Sequence, residues 1–147
     1  MSEAATELTI ARLLREEGMK LQPYDDATGQ TVRAPVGNLS WGIGFNLEEC
    51  GSLGLFNVML RYLLRPIETM LQAQPWYASQ PDVVQSVCQD IAYNGGIHGF
   101  LGGYPKMIGC LEQHDLTGAA LECKVSDPHL DASRYAPLRK IIESAIG

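Results

Sequence analysis

Glu16, Glu17, Asp25 and Asp26 place four carboxylates within eleven residues. Two carboxyls in unequal environments are what acid chemistry at a glycosidic bond requires. One stays protonated to donate; the other stays ionised and steadies positive charge or activates water. Helix phase separates the first two. Residues 5 to 18 read as a helix, with Leu8, Ala11 and Leu14, and also Ile10, Leu13 and Leu14, at helical spacing and Gly18 as a stop. Ile10, Leu13, Leu14 and Glu17 fall at i, i+3, i+4 and i+7. Glu17 therefore continues an apolar stripe, and Glu16 is turned away by about 100°. A carboxyl at the end of a buried stripe is partly desolvated, which raises its pKa and suits a general acid. A salt-bridged helix-end glutamate fits the same position. Glu16 and Asp25 read as solvated neighbours.

The elements that must position these groups follow in order. Glycines at 29, 37, 42 and 44 and prolines at 23 and 35 punctuate short β-type pieces around Thr31-Val32-Arg33 and Leu39-Ser40-Trp41-Gly42-Ile43. They predict a small antiparallel sheet or hairpin that must pack on helices. From about residue 48 the pattern is helical. Asn46 reads as an N-cap with Glu49 at N3. Leu55, Val58, Met59, Tyr62 and Leu63 form an apolar face that Ile67, Met70 and Leu71 extend, with Pro66 expected to kink or split the run. Pro75-Trp76-Tyr77 reads as a loop. Pro81-Asp82 opens a broad-faced, central helix that Asn94-Gly95-Gly96 ends. Gly99 to Gly103 reads as a glycine-rich connection without a phosphate-loop pattern. Helices are expected at about 104–113, 115–124 and 134–146, with Asp115 capping the second and Asp127-Pro128 separating the last pair. The expected fold class is α+β, mostly α, in a single domain over 1–147: about 19–47 as a β lobe, and about 1–18 and 48–147 as a helical lobe.

Composition narrows the chemistry. With 147 residues, 46% of them hydrophobic and 19% charged, the chain can bury a core without metals or disulfides. A net charge of −6 argues against a bulk nucleic-acid binder. No apolar run approaches membrane-spanning length. The polar, acidic N-terminus has no signal-peptide pattern, so synthesis in the cytoplasm is expected. Cys50, Cys88, Cys110 and Cys123 form no CxxC pair and read as reduced, partly buried thiols. His98, His114 and His129 have no ligand spacing, so no metal is expected. Trp41, Trp76, Tyr77 and Phe100 have faces for sugar rings or for packing, and packing is the plainer reading. His98 reads as a surface group.

The ordered residues Glu17-Gly18-x-x-Leu21-x-x-Tyr24-x-Asp26-x-x-Gly29, then Leu39-Ser40-Trp41-Gly42-Ile43-Gly44, resemble the catalytic stretch of the T-even phage lysozyme family. Ile91-Ala92-Tyr93-Asn94-Gly95-Gly96, Gly99-Phe100-Leu101, Met107-Ile108-x-x-Leu111 and Ala132-Ser133-Arg134 resemble later parts of it. The resemblance implies a two-lobed, lysozyme-like fold. It implies Glu17 as general acid, Asp26 as the ionised partner and Ser40, where the family usually has Thr, as holder of the attacking water. It implies Arg134 as the arginine that pairs with the acid, and Asn94, Tyr24 and Trp41 as supporting groups along the groove. The segment between Asp26 and Ser40 is longer than in short family members and reads as an extended hairpin over the cleft.

The implied activity is a peptidoglycan muramidase cutting the β-1,4 bond between N-acetylmuramic acid and N-acetylglucosamine, with inversion and no cofactor. The expected partner is the glycan strand, met by a monomer without nucleic acid or membrane insertion. The enzyme would reach the wall in the periplasm through a holin-type or secretion-system route, as an endolysin or as an antibacterial effector. A lytic transglycosylase, and a non-catalytic wall-binding or phage structural module of the same fold, are the competing readings.

Overall fold

The computed structural model describes residues 3–16, 40–41, 45–46 and 53–147. Apart from one short ladder, its elements are helical: α1 (Glu3–Glu16), α2 (Leu53–Gln72), α3 (Asp82–Gly95), α4 (Ile97–Gly103), α5 (Pro105–Glu112), α6 (Leu116–Glu122), α7 (Pro128–Leu130) and α8 (Ala136–Ser144). The ladder joins β1 (Ser40–Trp41) to β2 (Phe45–Asn46), with Ser40 opposite Asn46 and Trp41 opposite Phe45.

The fold class is thereby corrected. Among the described residues, the expected α+β architecture with a small antiparallel sheet lobe gives way to a helical one. Two residues a side cannot present a face for burial, so the ladder is not a lobe. Glycine and proline break helices, but by themselves they specify no strand. The hairpin around residues 30–38 and the cap expected from Asn46 with Glu49 rest on residues outside those described.

The core forms around α3, which is buried from Val84 to Ala92. The 76–77 turn, α4, α5, α6 and α8 close over it through Trp76, Tyr77, Phe100, Met107, Leu111, Ala119, Leu138 and Ile142. An aromatic ladder runs from Tyr77 through Trp76, Phe100 and Tyr104 to Tyr135, with centroid spacings of 5.9, 6.4, 5.7 and 6.3 Å. Trp76, Tyr77 and Phe100 therefore belong to the core, as the packing reading expects. A second cluster, Ile10, Leu13 and Leu64, joins α1 to α2.

Three expectations change. Gly99 to Gly103 is helical rather than a connection. Ile97, Phe100, Leu101 and Tyr104 lie at helical spacing and pack on the core, and their burial outweighs the poor helix propensity of the exposed glycines. Gly96, at φ 76° and ψ 148°, makes the junction with α3 in a conformation essentially confined to glycine. Second, α2 runs unsplit through Pro66. Proline cannot donate to the Tyr62 carbonyl, but Tyr62 and Pro66 are both exposed, so water can serve it. Third, α2 buries Leu64 and Leu71, with Leu60 and Ile67 packed beside the core, and leaves Val58, Met59, Tyr62 and Leu63 exposed. The helix is apolar on more than one face, and docking against α1 and α3 selects the phase.

Asp115 caps α6, its Oδ1 accepting from Gly118 N at 2.8 Å. A Cβ at Gly118 would stand 2.3 Å from Asp115 Oδ2 and 2.7 Å from Cys110 Sγ. Gly118→Ala should therefore displace the cap and cancel the usual helix gain of alanine, for a net loss of about 1 kcal/mol in a urea melt. A gain in stability would show that the cap can move aside at no cost.

The chain end is fastened by Arg139, whose Nη1 and Nη2 donate to Asp131 Oδ1 at 2.9 Å and Oδ2 at 2.8 Å. This pairing holds the Asp131 carboxyl below the usual range. The folded pKa lies below the unfolded one. The contribution is therefore complete above the unfolded value and disappears as pH falls through the folded one. Asp131→Asn should lower Tm at pH 7, and the gap from wild type should close in acid; a gap that persists below both pKa values would refute the linkage.

Candidate functional site

The polar side chains with the deepest burial lie between α1 and α3. On α1, Thr9 and Arg12 are three residues apart, so they share a face. On α3, Ser86, Gln89 and Asp90 fall at i, i+3 and i+4 and share the opposing one. Arg12 is 5% exposed and Asp90 0%. Arg12 Nε donates to Asp90 Oδ2 at 2.5 Å, and its Nη2 donates to the Ser86 carbonyl at 2.7 Å. Such a pair is tolerable in the interior because each charge finds an opposite charge together with further hydrogen bonds.

The other carboxylate oxygen faces outward. Asn94 Nδ2 donates to Asp90 Oδ1 at 2.9 Å and also to the Asp90 carbonyl at 2.9 Å. Arg134 Nη2 lies 3.8 Å from the same Oδ1, with its side chain 23% exposed. Arg134 arrives from a π-helical turn, Asp131–Tyr135, closed by the Ala136 N–H on the Asp131 carbonyl. Proline explains the turn. Pro137 has no N–H and its ring crowds the carbonyl four residues earlier, so the chain widens just ahead of it. The widened turn aims Arg134 at the end of α3.

Thus Arg134 and Asn94, forty residues apart in the chain, meet on one buried carboxylate. Ser40 and Trp41 lie on β1, opposite Asn46 and Phe45. Glu17, Tyr24 and Asp26 lie outside the described residues, and α1, the helix expected to carry Glu17 at its end, is described to Glu16. Sequence reasoning missed Arg12, Ser86 and Asp90. The available signal was a pair of polar stripes at helical spacing in two helices, one carrying a cation and the other an anion.

A second polar chain runs beside the first. Thr9 donates to Gln89 Oε1 at 2.8 Å, and Gln89 Nε2 donates to the Tyr77 hydroxyl at 3.0 Å. Burial, chiefly, pushes the Tyr77 phenol up, so at neutral pH it is not a base. Burial likewise pushes up the Cys88 thiol and takes Cys123 up to about 12. Both are inert thiols rather than nucleophiles. Cys88, Cys110 and Cys123 are all free. His98 is exposed, as expected of a surface group.

The arrangement sets a cation and an amide side by side at the end of α3, held by a carboxylate that water does not reach. Comparison with protein-family models, curated proteins and solved structures returned no match for the chain.

Proposed function

We propose that the chain is a bacteriolytic muramidase, a glycoside hydrolase acting on the β-1,4 bond between N-acetylmuramic acid and N-acetylglucosamine in peptidoglycan. One observation carries the reading: Arg134 and Asn94, assigned to the site by separate segments of the resemblance, converge on Asp90. Asn94 meets Asp90 through the i,i+4 spacing of α3, but Arg134 comes from forty-four residues further along the chain, and a chance resemblance gives no reason for it to share that carboxylate.

In this reading Glu17 protonates the glycosidic oxygen as the C1–O bond breaks. Asp26 stays ionised, steadies the developing charge at C1 and activates a water that Ser40 holds. Attack from the opposite face inverts the anomeric centre. Arg134 tunes the acid, and Asn94, Tyr24 and Trp41 line the groove. Lysis from inside a host through a holin-type route, or delivery into a competitor's periplasm, would use the same chemistry.

Mass spectrometry of digested sacculi tests the reaction. New reducing ends are expected. Anhydro ends would assign lytic transglycosylase chemistry instead, and an unchanged sacculus would leave only a wall-binding or structural role.

A further inference from the structure

We infer that Asp90 is a positioning residue for the proposed hydrolysis, holding Arg134 and Asn94 in place at the end of α3, with Arg12 as its buried countercharge. The inference rests on the muramidase reading. Its basis is the division of the carboxylate between its two oxygens. Oδ2 is engaged by Arg12, which is itself tied to Ser86 and points into the protein. That half is the buried ion pair. Oδ1 is turned to Asn94 and Arg134. Asp90 is fully buried, so Oδ1 needs partners as much as Oδ2 does, and Asn94 and Arg134 supply them from the rim of the seam.

A partly exposed guanidinium has several rotatable bonds, and fixing it costs conformational entropy. A carboxylate at the rim of a low-dielectric seam offsets that cost over a longer reach than one in water, so an ion pair at 3.8 Å still orients the cation. The carboxylate is itself held rigidly: it sits on the central helix, and Arg12 prevents it from swinging outward. The Asn94 amide is bound both to the Asp90 side chain and to its backbone. One anion therefore sets the relative placement of both groups. Arg12, Asp90, Asn94 and Arg134 form a chain of contacts from α1, across α3, to the turn before α8.

A double-mutant cycle on purified peptidoglycan tests this. The four proteins are wild type, the charge-neutralised pair Arg12→Met/Asp90→Asn, Arg134→Gln, and the combination of all three substitutions. The pair should lower kcat about tenfold or more with little change in KM, and should add nothing once Arg134 is gone. Thermal melts on each protein separate folding from positioning. A pair with wild-type kcat, or a combination whose losses multiply, overturns the inference while leaving the muramidase reading intact. A wild-type protein that releases no sugar ends overturns both. If the pair melts below the assay temperature, Asp90→Glu replaces it. That variant keeps a charge opposite Arg12 but moves the outer oxygen by a methylene, and the same non-additivity with Arg134→Gln is expected.

Discussion

On the proposed muramidase reading, Glu17→Gln is expected to slow lysis of outer-membrane-stripped cells about a thousand-fold, within the range for removing a general acid. The amide is isosteric and cannot deliver the proton, so the circular-dichroism spectrum and Tm should stay close to wild type. Glu16→Gln, one residue earlier, should be nearly silent. The contrast follows from helix phase. Ile10 and Leu13 are buried on α1, and in the sequence Glu17 follows Ile10 by seven residues, the helical repeat of that stripe. Equal losses from the two substitutions in a turbidity assay would defeat this assignment. A silent Glu17→Gln in an active protein would remove the two-carboxylate mechanism altogether.

The second large effect concerns stability. Asp90→Ala should destabilise the fold by about 3–5 kcal/mol, because it leaves the Arg12 guanidinium buried without its counter-ion. That is a large share of the total of about 5–15 kcal/mol typical of a domain. For a chain of this length it corresponds to a fall in Tm of roughly 10–20 °C. Arg12→Met/Asp90→Leu should recover most of the loss, since well-packed apolar side chains replace a buried pair at little net cost. Urea melts of the single and double variants provide the measurement. A single variant within 1 kcal/mol of wild type would mean that water reaches the seam, and the burial argument would fail.

The sequence was most informative where local chemistry decides structure. Asp115 caps α6 as its type and position predict. Asp127, read only as a separator of the last two helices, caps α7, its Oδ1 accepting from His129 N at 2.9 Å and Leu130 N at 3.0 Å. The Val84–Ala92 run marks the central helix, because apolar residues on a broad face imply burial on every side. These are one-element properties, set by capping, turn preference and period.

Legibility failed where two elements compete for one face. Both apolar stripes of α2 look equally able to pack, and only the positions of α1 and α3 bury Leu64 and Leu71 rather than Met59 and Leu63. The glycines of α4 argue for a loop until Phe100 docks against Trp76 and Tyr104. The expected sheet lobe failed in the opposite sense: helix breakers were present, but nothing in them required strands. Within the site, the sequence singled out Arg134 and Asn94 by resemblance, yet Asp90, the group they share, looked like an ordinary polar residue on a helix.

By itself, then, the sequence determined the cap at Asp115, the central helix that Pro81-Asp82 opens and the spacing of the carboxylates along the chain. Those depend on contacts within a few residues. Only the tertiary structure decided that Arg12 and Asp90 form a buried pair, and that Arg134 reaches it from the far end of the chain. The energy of a buried charge depends on what surrounds it in space, and around Asp90 the two arginines come from 78 residues before it and 44 after it in the chain.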